Sequence, residues 1–229
     1  MTELSIIIPA YNEAVHLEEV ISRLARTLDG SGIDYEIRIV NNGSRDGTKA
    51  IIEKLGRDFP RIIGIDLEKN QGYGGGIIAG LSGARGAVVG WTHADGQADP
   101  EDVIRLYKKM RSESCELGMA VRVERRESRW RKIQGGLYFY IFKLLFWNPY
   151  RDINGTPKML TQKAMSALNL QSRDWFLEPE FVIKAMRLGM SICEIDIIWN
   201  SRRSGFTRAH LLTGLELLRE MILYRVGFK

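Results

Sequence analysis

Leu4-Ser5-Ile6-Ile7-Ile8-Pro9-Ala10-Tyr11-Asn12-Glu13 opens the chain and decides how the rest is read. Leu4 to Ile8 is a short, isoleucine-rich apolar run stopped by Pro9, which predicts a buried first strand ending in polar residues. Leu17, Val20, Ile21, Leu24 and Leu28 then recur at helical spacing until Gly30 and Gly32. Tyr35 to Val40 predicts a second strand, and Ser44 or Asp46 caps the helix that follows, with Ile51, Ile52 and Leu55 inward. A third strand is expected over Ile62 to Leu67, a glycine-rich turn and small-residue helix around Ile77 to Ala84, and a fourth strand over Ala87 to Thr92. Asp99-Pro100-Glu101-Asp102 is a strong helix start: a cap, a proline in the first turn, then acids favoured by the helix dipole. Val103, Leu106 and Met110 continue it.

Strands that alternate with helices predict an α/β domain with a mostly parallel central sheet covered on both faces. In such sheets ligands bind beyond the carboxyl ends of the strands. Three polar segments fall there: Pro9 to Glu13, Asn41-Asn42-Gly43-Ser44, and His93-Ala94-Asp95-Gly96-Gln97. After Ser112 the pattern changes. Arg122 to about 134 reads as a basic loop, with Arg122, Arg125, Arg126, Arg129, Arg131 and Lys132, and Leu137 to Trp147 is almost wholly apolar. Ser191 to Ile198 predicts a further strand, and Leu211, Leu215, Leu218 and Ile222 mark a closing amphipathic helix.

The 229 residues carry neither a repeat nor a low-complexity linker, so one domain over 1–229 is expected. At 45% hydrophobic and 27% charged residues, with a mean hydropathy of −0.17, the composition is that of an ordinary globular domain. No apolar run reaches 18 residues, so a membrane-spanning helix is not expected. Met1 to Ser5 lacks the pattern of a secretory leader. Cys115 and Cys193 lie far apart in sequence and match no metal or redox spacing, which predicts two reduced thiols. The net charge of +5 and pI of about 9.2 favour anionic partners. Nucleic acid is not among those expected, because no recognition motif accompanies the charge.

The most informative segment is Trp91-Thr92-His93-Ala94-Asp95-Gly96-Gln97. In extended chain, residues two apart project to the same side, so His93, Asp95 and Gln97 are expected to converge on one divalent cation. A cation there bridges the phosphates of a nucleotide diphosphate and offsets leaving-group charge.

The ordered set of segments resembles the family 2 glycosyltransferases of the GT-A fold, in the dolichyl-phosphate mannosyltransferase-like, polyprenyl-phosphate glycosyltransferase branch. Besides the three strand ends, it includes Asn70-Gln71-Gly72-Tyr73-Gly74, Asp152-Ile153-Asn154-Gly155, Glu194-Ile195-Asp196-Ile197 and Arg202-Arg203-Ser204-Gly205-Phe206-Thr207-Arg208, and so covers nearly the whole chain. The resemblance implies a GT-A three-layer sandwich, with Pro9, Tyr11, Glu13, Asn42, Ala94 and Asp95 lining a nucleotide-sugar pocket for a GDP- or UDP-linked donor. It implies acceptor-phosphate contacts from Arg122, Arg131, Arg202 and Arg208. Catalytic carboxylates are expected among Asp95, Asp152 and Glu180, a hydroxyl acceptor requiring one to take its proton and a phosphate acceptor requiring no strong base.

Two departures stand out. The family usually has aspartates where this chain has Asn41 and Asn42, and its Asp-x-Asp metal motif begins here with His93. Imidazole suits transition metals and magnesium prefers oxygen, so manganese is expected to be preferred over magnesium. The aromatic stretch Leu137 to Trp147, eleven residues, is too short to span a bilayer, which takes about 20. It fits an interfacial helix.

These features together predict an inverting glycosyltransferase moving a sugar to a polyprenyl phosphate, peripheral at the cytoplasmic face of a membrane, with a membrane protein as a further partner. The alternatives are a catalytically weak nucleotide-sugar-binding protein and an enzyme acting on a sugar hydroxyl in cell-surface polysaccharide synthesis.

Overall fold

The structure, a computed structural model, describes residues 2–125, 129–200 and 211–226. In chain order the elements are β1 (Leu4–Ala10), α1 (Leu17–Asp29), β2 (Tyr35–Asn42), α2 (Thr48–Asp58), β3 (Ile62–Leu67), α3 (Gly72–Leu81), β4 (Val88–Trp91), α4 (Pro100–Glu113), β5 (Leu117–Arg125), α5 (Arg129–Phe146), β6 (Lys158–Thr161), α6 (Gln162–Leu168), α7 (Leu177–Arg187), β7 (Ile192–Trp199) and α8 (Leu211–Arg225). They form one seven-stranded sheet of order β3-β2-β1-β4-β6-β5-β7. Only β6 runs against its neighbours, antiparallel to β4 and to β5.

β1 sits between β2 and β4, which explains an apolar run broken only by Ser5, whose buried hydroxyl donates to Glu36. Leu4, Ile6 and Ile8 join the core shared with α1, α2 and α4, while Ile7 points into the core shared with α3, α5, α7 and α8. Both faces are covered, so alternation with polar residues has no place. The result is the expected three-layer α/β arrangement. Asp99 caps α4 as its sequence implies, accepting from Glu101 N–H at 3.0 Å. At α2, Asp46 rather than Ser44 binds the first turn, accepting from Thr48 N–H at 3.0 Å.

Several expectations need correction. β5 and β6 lie where the sequence pattern indicated no element. β6 is only four residues long and buries Lys158, so no apolar alternation announces it. The basic stretch from Arg122 is mostly regular structure rather than loop: Arg122 to Arg125 end β5, and α5 begins at Arg129. In α8 Met221 and Tyr224 are buried and Leu218 packs against the same core as expected, with Leu217 beside it, whereas Ile222 is exposed; the side chains of Leu211 and Leu215 lie outside the described residues. Finally, Cys115 and Cys193 are not remote. Pairing of β5 with β7 sets Cys193 opposite Gly118. Both thiols lie within 4.8 Å of each other and of a Glu113 carboxylate oxygen. Burial, then the neighbouring Cys115, pushes the Cys193 thiol up to about 12. Among the described residues no helix is long and apolar enough to cross a membrane.

Candidate active site

Parallel β1, β2 and β4 end at one rim, and their loops are laced together there. Asn12 takes a left-handed conformation (φ 53°) that asparagine tolerates better than most residues. Its backbone N–H donates to Ser44 Oγ at 3.0 Å and its side-chain oxygen accepts from Arg45 N–H at 2.7 Å. Glu13 N–H donates to Thr48 Oγ1 at 2.9 Å. Pro9, Tyr11 and Glu13 are half-buried along this rim, consistent with a pocket lining.

Asn41 and Asn42 are both buried, and their amides explain why aspartates would serve badly. Asn41 Nδ2 donates to Asp66 Oδ1 at 2.5 Å, where a second carboxylate would meet like charge. Asn42 accepts from Gln71 N–H at 2.9 Å and donates to Gly72 O at 2.8 Å. A carboxylate cannot donate the second of these bonds. Asn42 therefore clamps the amino end of α3 with both ends of its amide.

The His93 to Gln97 segment is not extended. β4 ends at Trp91, and a turn follows in which Gly96 has φ 70°. Asp95 Oδ1 accepts from Gln97 N–H at 3.1 Å. Gln97 turns inward, is buried, and donates from Nε2 to Asn200 O at 2.8 Å, tying the turn to the end of β7. The three side chains thus do not converge by strand alternation, and Gln97 serves as a tether. Ala94 packs its methyl into the core and contributes no side chain to the cleft. His93 joins an aromatic wall, stacked on Tyr73 at 5.5 Å between centroids and edge-to-face with Trp199 at 5.8 Å. Stacking covers faces of the imidazole, whereas its nitrogens lie in the ring plane. His93 offers ring nitrogens and Asp95 a carboxylate, donor types that suit a divalent transition-metal cation.

Beneath the wall lies a buried polar centre that the sequence reading missed. Glu178 accepts from Tyr73 Oη at 2.7 Å and from Trp91 Nε1 at 2.9 Å, and its other oxygen accepts from Lys158 Nζ. Lys158 also donates to Ile153 O and Gly155 O, each at 3.0 Å. Burial first, and then the Glu178 charge, pushes the Tyr73 hydroxyl well above its ordinary value. Glu180, one of the three acids expected from sequence, is engaged in structural contacts. It is buried, accepts from Ser172 N–H at 2.8 Å and pairs with Lys184 at 2.6 Å, so it holds a loop.

Arg122 and Asp152 form a two-pronged ion pair, Nε to Oδ2 at 2.7 Å and Nη2 to Oδ1 at 2.9 Å. Burial alone would raise the Asp152 carboxyl; the Arg122 charge and bonds outweigh it and hold the group below the usual aspartate range. Both Asp152 oxygens are engaged by Arg122, so the carboxylate fixes the orientation of the guanidinium. The pair lines a cavity of about 320 Å³ with Gly135, Gly136 and Phe139 of α5 and Arg151, Ile153 and Asn154. Arg131 lies in the first turn of α5, its side chain outside the described residues, as Arg202 and Arg208 are entirely.

The chain matches the model of "Glycosyl transferase family 2" over residues 5–172. A dolichyl-phosphate beta-glucosyltransferase of Trichomonas vaginalis is 27% identical, over 98% of this chain and 74% of the relative. An undecaprenyl-phosphate 4-deoxy-4-formamido-L-arabinose transferase of Shewanella sediminis is 28% identical, over 96% of this chain and 65% of the relative. In three dimensions, glucosyl-3-phosphoglycerate synthase from Mycobacterium tuberculosis, in complex with Mn2+, UDP and phosphoglyceric acid, superposes with a TM-score of 0.75 at 19% identity, over 99% of this chain and 79% of that one. The fold is thus GT-A, and with the family match over most of its length the chain belongs to glycosyl transferase family 2.

Proposed function

We propose that this glycosyltransferase moves a sugar from a GDP- or UDP-linked donor to a polyprenyl phosphate, with inversion, while docked at the cytoplasmic face of a membrane. The observation that carries the acceptor is the cavity of Arg122 and Asp152, one wall of which is α5. Ile133, Leu137, Tyr140, Leu144 and Trp147 follow one another at spacings of four and three along that helix and its end, from 61% exposed at Ile133 to 85% at Trp147. Such spacing makes a single apolar stripe. A cavity lined by two arginine guanidinium groups beside an exposed apolar helix matches a phosphate joined to a long hydrocarbon tail. The two relatives named for dolichyl and undecaprenyl phosphate support the same reading.

In this reading the acceptor phosphate, already an anion near neutral pH, attacks the anomeric carbon from the face opposite the nucleotide diphosphate. Arg122, held in place by Asp152, orients the attacking phosphate, which is already ionised and needs no base. His93 and Asp95 would hold a divalent cation, which when bound neutralises charge on the departing diphosphate. The imidazole favours manganese over magnesium. Gln97 is left out of the ligand set.

The test is transfer from UDP- and GDP-sugars to undecaprenyl phosphate in vesicles, with manganese or magnesium, alongside thermal shifts with the same donors. Turnover that needs the lipid phosphate supports the proposal, and Asp95→Ala should abolish the metal-dependent thermal shift. Tight donor binding without turnover would favour the catalytically weak alternative. Transfer to free sugars instead would point to a hydroxyl acceptor. Equal activity with magnesium would sink the metal preference, and His93→Asp should shift preference towards magnesium.

A further inference from the structure

Trp175 is a large apolar side chain left 37% exposed at the rim of an otherwise packed site. It belongs to the loop leading into α7, and that loop is firmly held. Gln171 and Ser172 donate their N–H groups to Glu180 at 3.0 and 2.8 Å. Arg173 O accepts from Gly75 N–H at 2.9 Å, and Phe176 N–H donates to Asp174 Oδ1 at 2.8 Å. The loop presses so closely on α3 that a Cβ at Gly74 would stand 2.1 Å from Ser172 O.

The indole stacks on Tyr73 at 4.2 Å with 12° between planes. Tyr73 is itself fixed by its hydroxyl on Glu178 and by its stack on His93, two positions before Asp95 in the chain. The stack covers one indole face, and 37% of the residue's surface stays exposed. Beside it, Asp174 is exposed, with Oδ1 bound to Phe176 N–H and Oδ2 available to a hydroxyl.

The geometry points to Trp175 and Asp174 as a subsite for the ring of the transferred sugar, the indole packing on the ring's C–H face and Asp174 Oδ2 accepting from its hydroxyls. The inference rests on the nucleotide-sugar donor proposed above. A pyranose has one face rich in C–H groups, which suit the electron-rich face of an aromatic ring, and a hydroxyl-bearing edge that suits a carboxylate. A phosphate is the wrong ligand for this corner: Asp174 repels it, and the neighbouring Arg173 guanidinium is turned to Gln71 Oε1 at 3.1 Å. Because Tyr73 and the glycine-seated loop fix the indole beforehand, little ordering cost attends binding. Sugar recognition is thereby physically linked to His93 through one continuous aromatic stack.

The deciding experiment is calorimetric titration of wild type, Trp175→Leu, Trp175→Phe and Asp174→Asn with UDP, UDP-glucose, GDP and GDP-mannose in manganese buffer, with unfolding midpoints measured for each variant. Trp175→Leu should weaken the nucleotide sugar by about tenfold while leaving the matching nucleotide diphosphate within about twofold. Trp175→Phe should restore most of the loss, and Asp174→Asn should weaken only the sugar-bearing ligand. Equal losses for sugar and diphosphate would mean that Trp175 stacks a base or supports the fold, and would overturn the subsite; so would unchanged binding of both. If wild type binds none of the four ligands, the donor reading fails and the subsite falls with it. If wild type binds the diphosphates but gains nothing from the sugar, only the subsite fails.

Discussion

Lys158 of β6 and Glu178 of α7 form an ion pair in the interior, Lys158 with no exposed surface and Glu178 almost none. The ammonium is satisfied on three sides, by Glu178 and by the carbonyls of Ile153 and Gly155. Through it, the loop that carries Asp152 is fastened to the centre that fixes Tyr73 and Trp91.

Removing one partner leaves a charge buried without compensation. Lys158→Met should therefore destabilise the protein by about 3–5 kcal/mol, whereas Lys158→Met with Glu178→Leu should recover part of that loss. Chemical denaturation of the single and double variants checks this. A single variant as stable as wild type would refute the role given to the pair.

The Arg122–Asp152 pair sets an acid dependence. Its folded carboxyl is held below the ordinary aspartate value, so the pair contributes stability above that value, near about 4, and loses it as pH falls through the lowered one. Asp152→Asn should be less stable than wild type at neutral pH, and the gap should close on acidification. For transfer, the same variant should raise the KM for the lipid phosphate more than that for the donor. A gap that widens towards acid would contradict the assignment.

Gly155 is a steric requirement of the acceptor-side loop. A Cβ there would stand 1.9 Å from Ala120 O, a backbone atom of β5. Gly155→Ala must displace one or the other, and should lower the unfolding free energy by about 2 kcal/mol or more. Thermal or urea unfolding reads this directly, and a neutral outcome would mean that β5 yields more easily than its pairing implies.

The stripe on α5 should matter to membranes and not to folding. Leu144→Glu combined with Trp147→Glu adds charge at positions 79% and 85% exposed, so the unfolding midpoint should stay within about 1–2 °C of wild type. Vesicle co-sedimentation should fall severalfold. Undiminished sedimentation would move the docking surface elsewhere.

The donor half of the molecule was legible from residues 4 to 110 because β1 to β4 follow the regular strand–helix rhythm. Ser5 to Pro9 and Asp99 to Asp102 carry local signals strong enough to hold against context. The acceptor half was not. β6 places a lysine in the core, paired with a glutamate twenty positions on, and no local pattern encodes such a partnership. Glu180 was favoured over Glu178 although both are acids on the first turn of α7; only the tertiary surroundings separate loop anchor from site centre. The expected convergence of His93, Asp95 and Gln97 assumed extended chain, and Gly96 turns it instead. Cys115 and Cys193 meet because β7 pairs with β5, a contact that sequence distance conceals.

The reversed direction of β6 has a consequence for how the two halves of the site are joined. Lys158 lies beside Trp91, so the polypeptide preceding β6 arrives at the same edge that β4 leaves. Donor-side groups are carried on segments that exit parallel strands, whereas Asp152 and its neighbours ride on one that approaches from outside. The Asp152 segment and the strand exits that carry Asn42 and Asp95 are therefore separate stretches of backbone that meet at one edge, and Lys158 with Glu178 joins the one to the other.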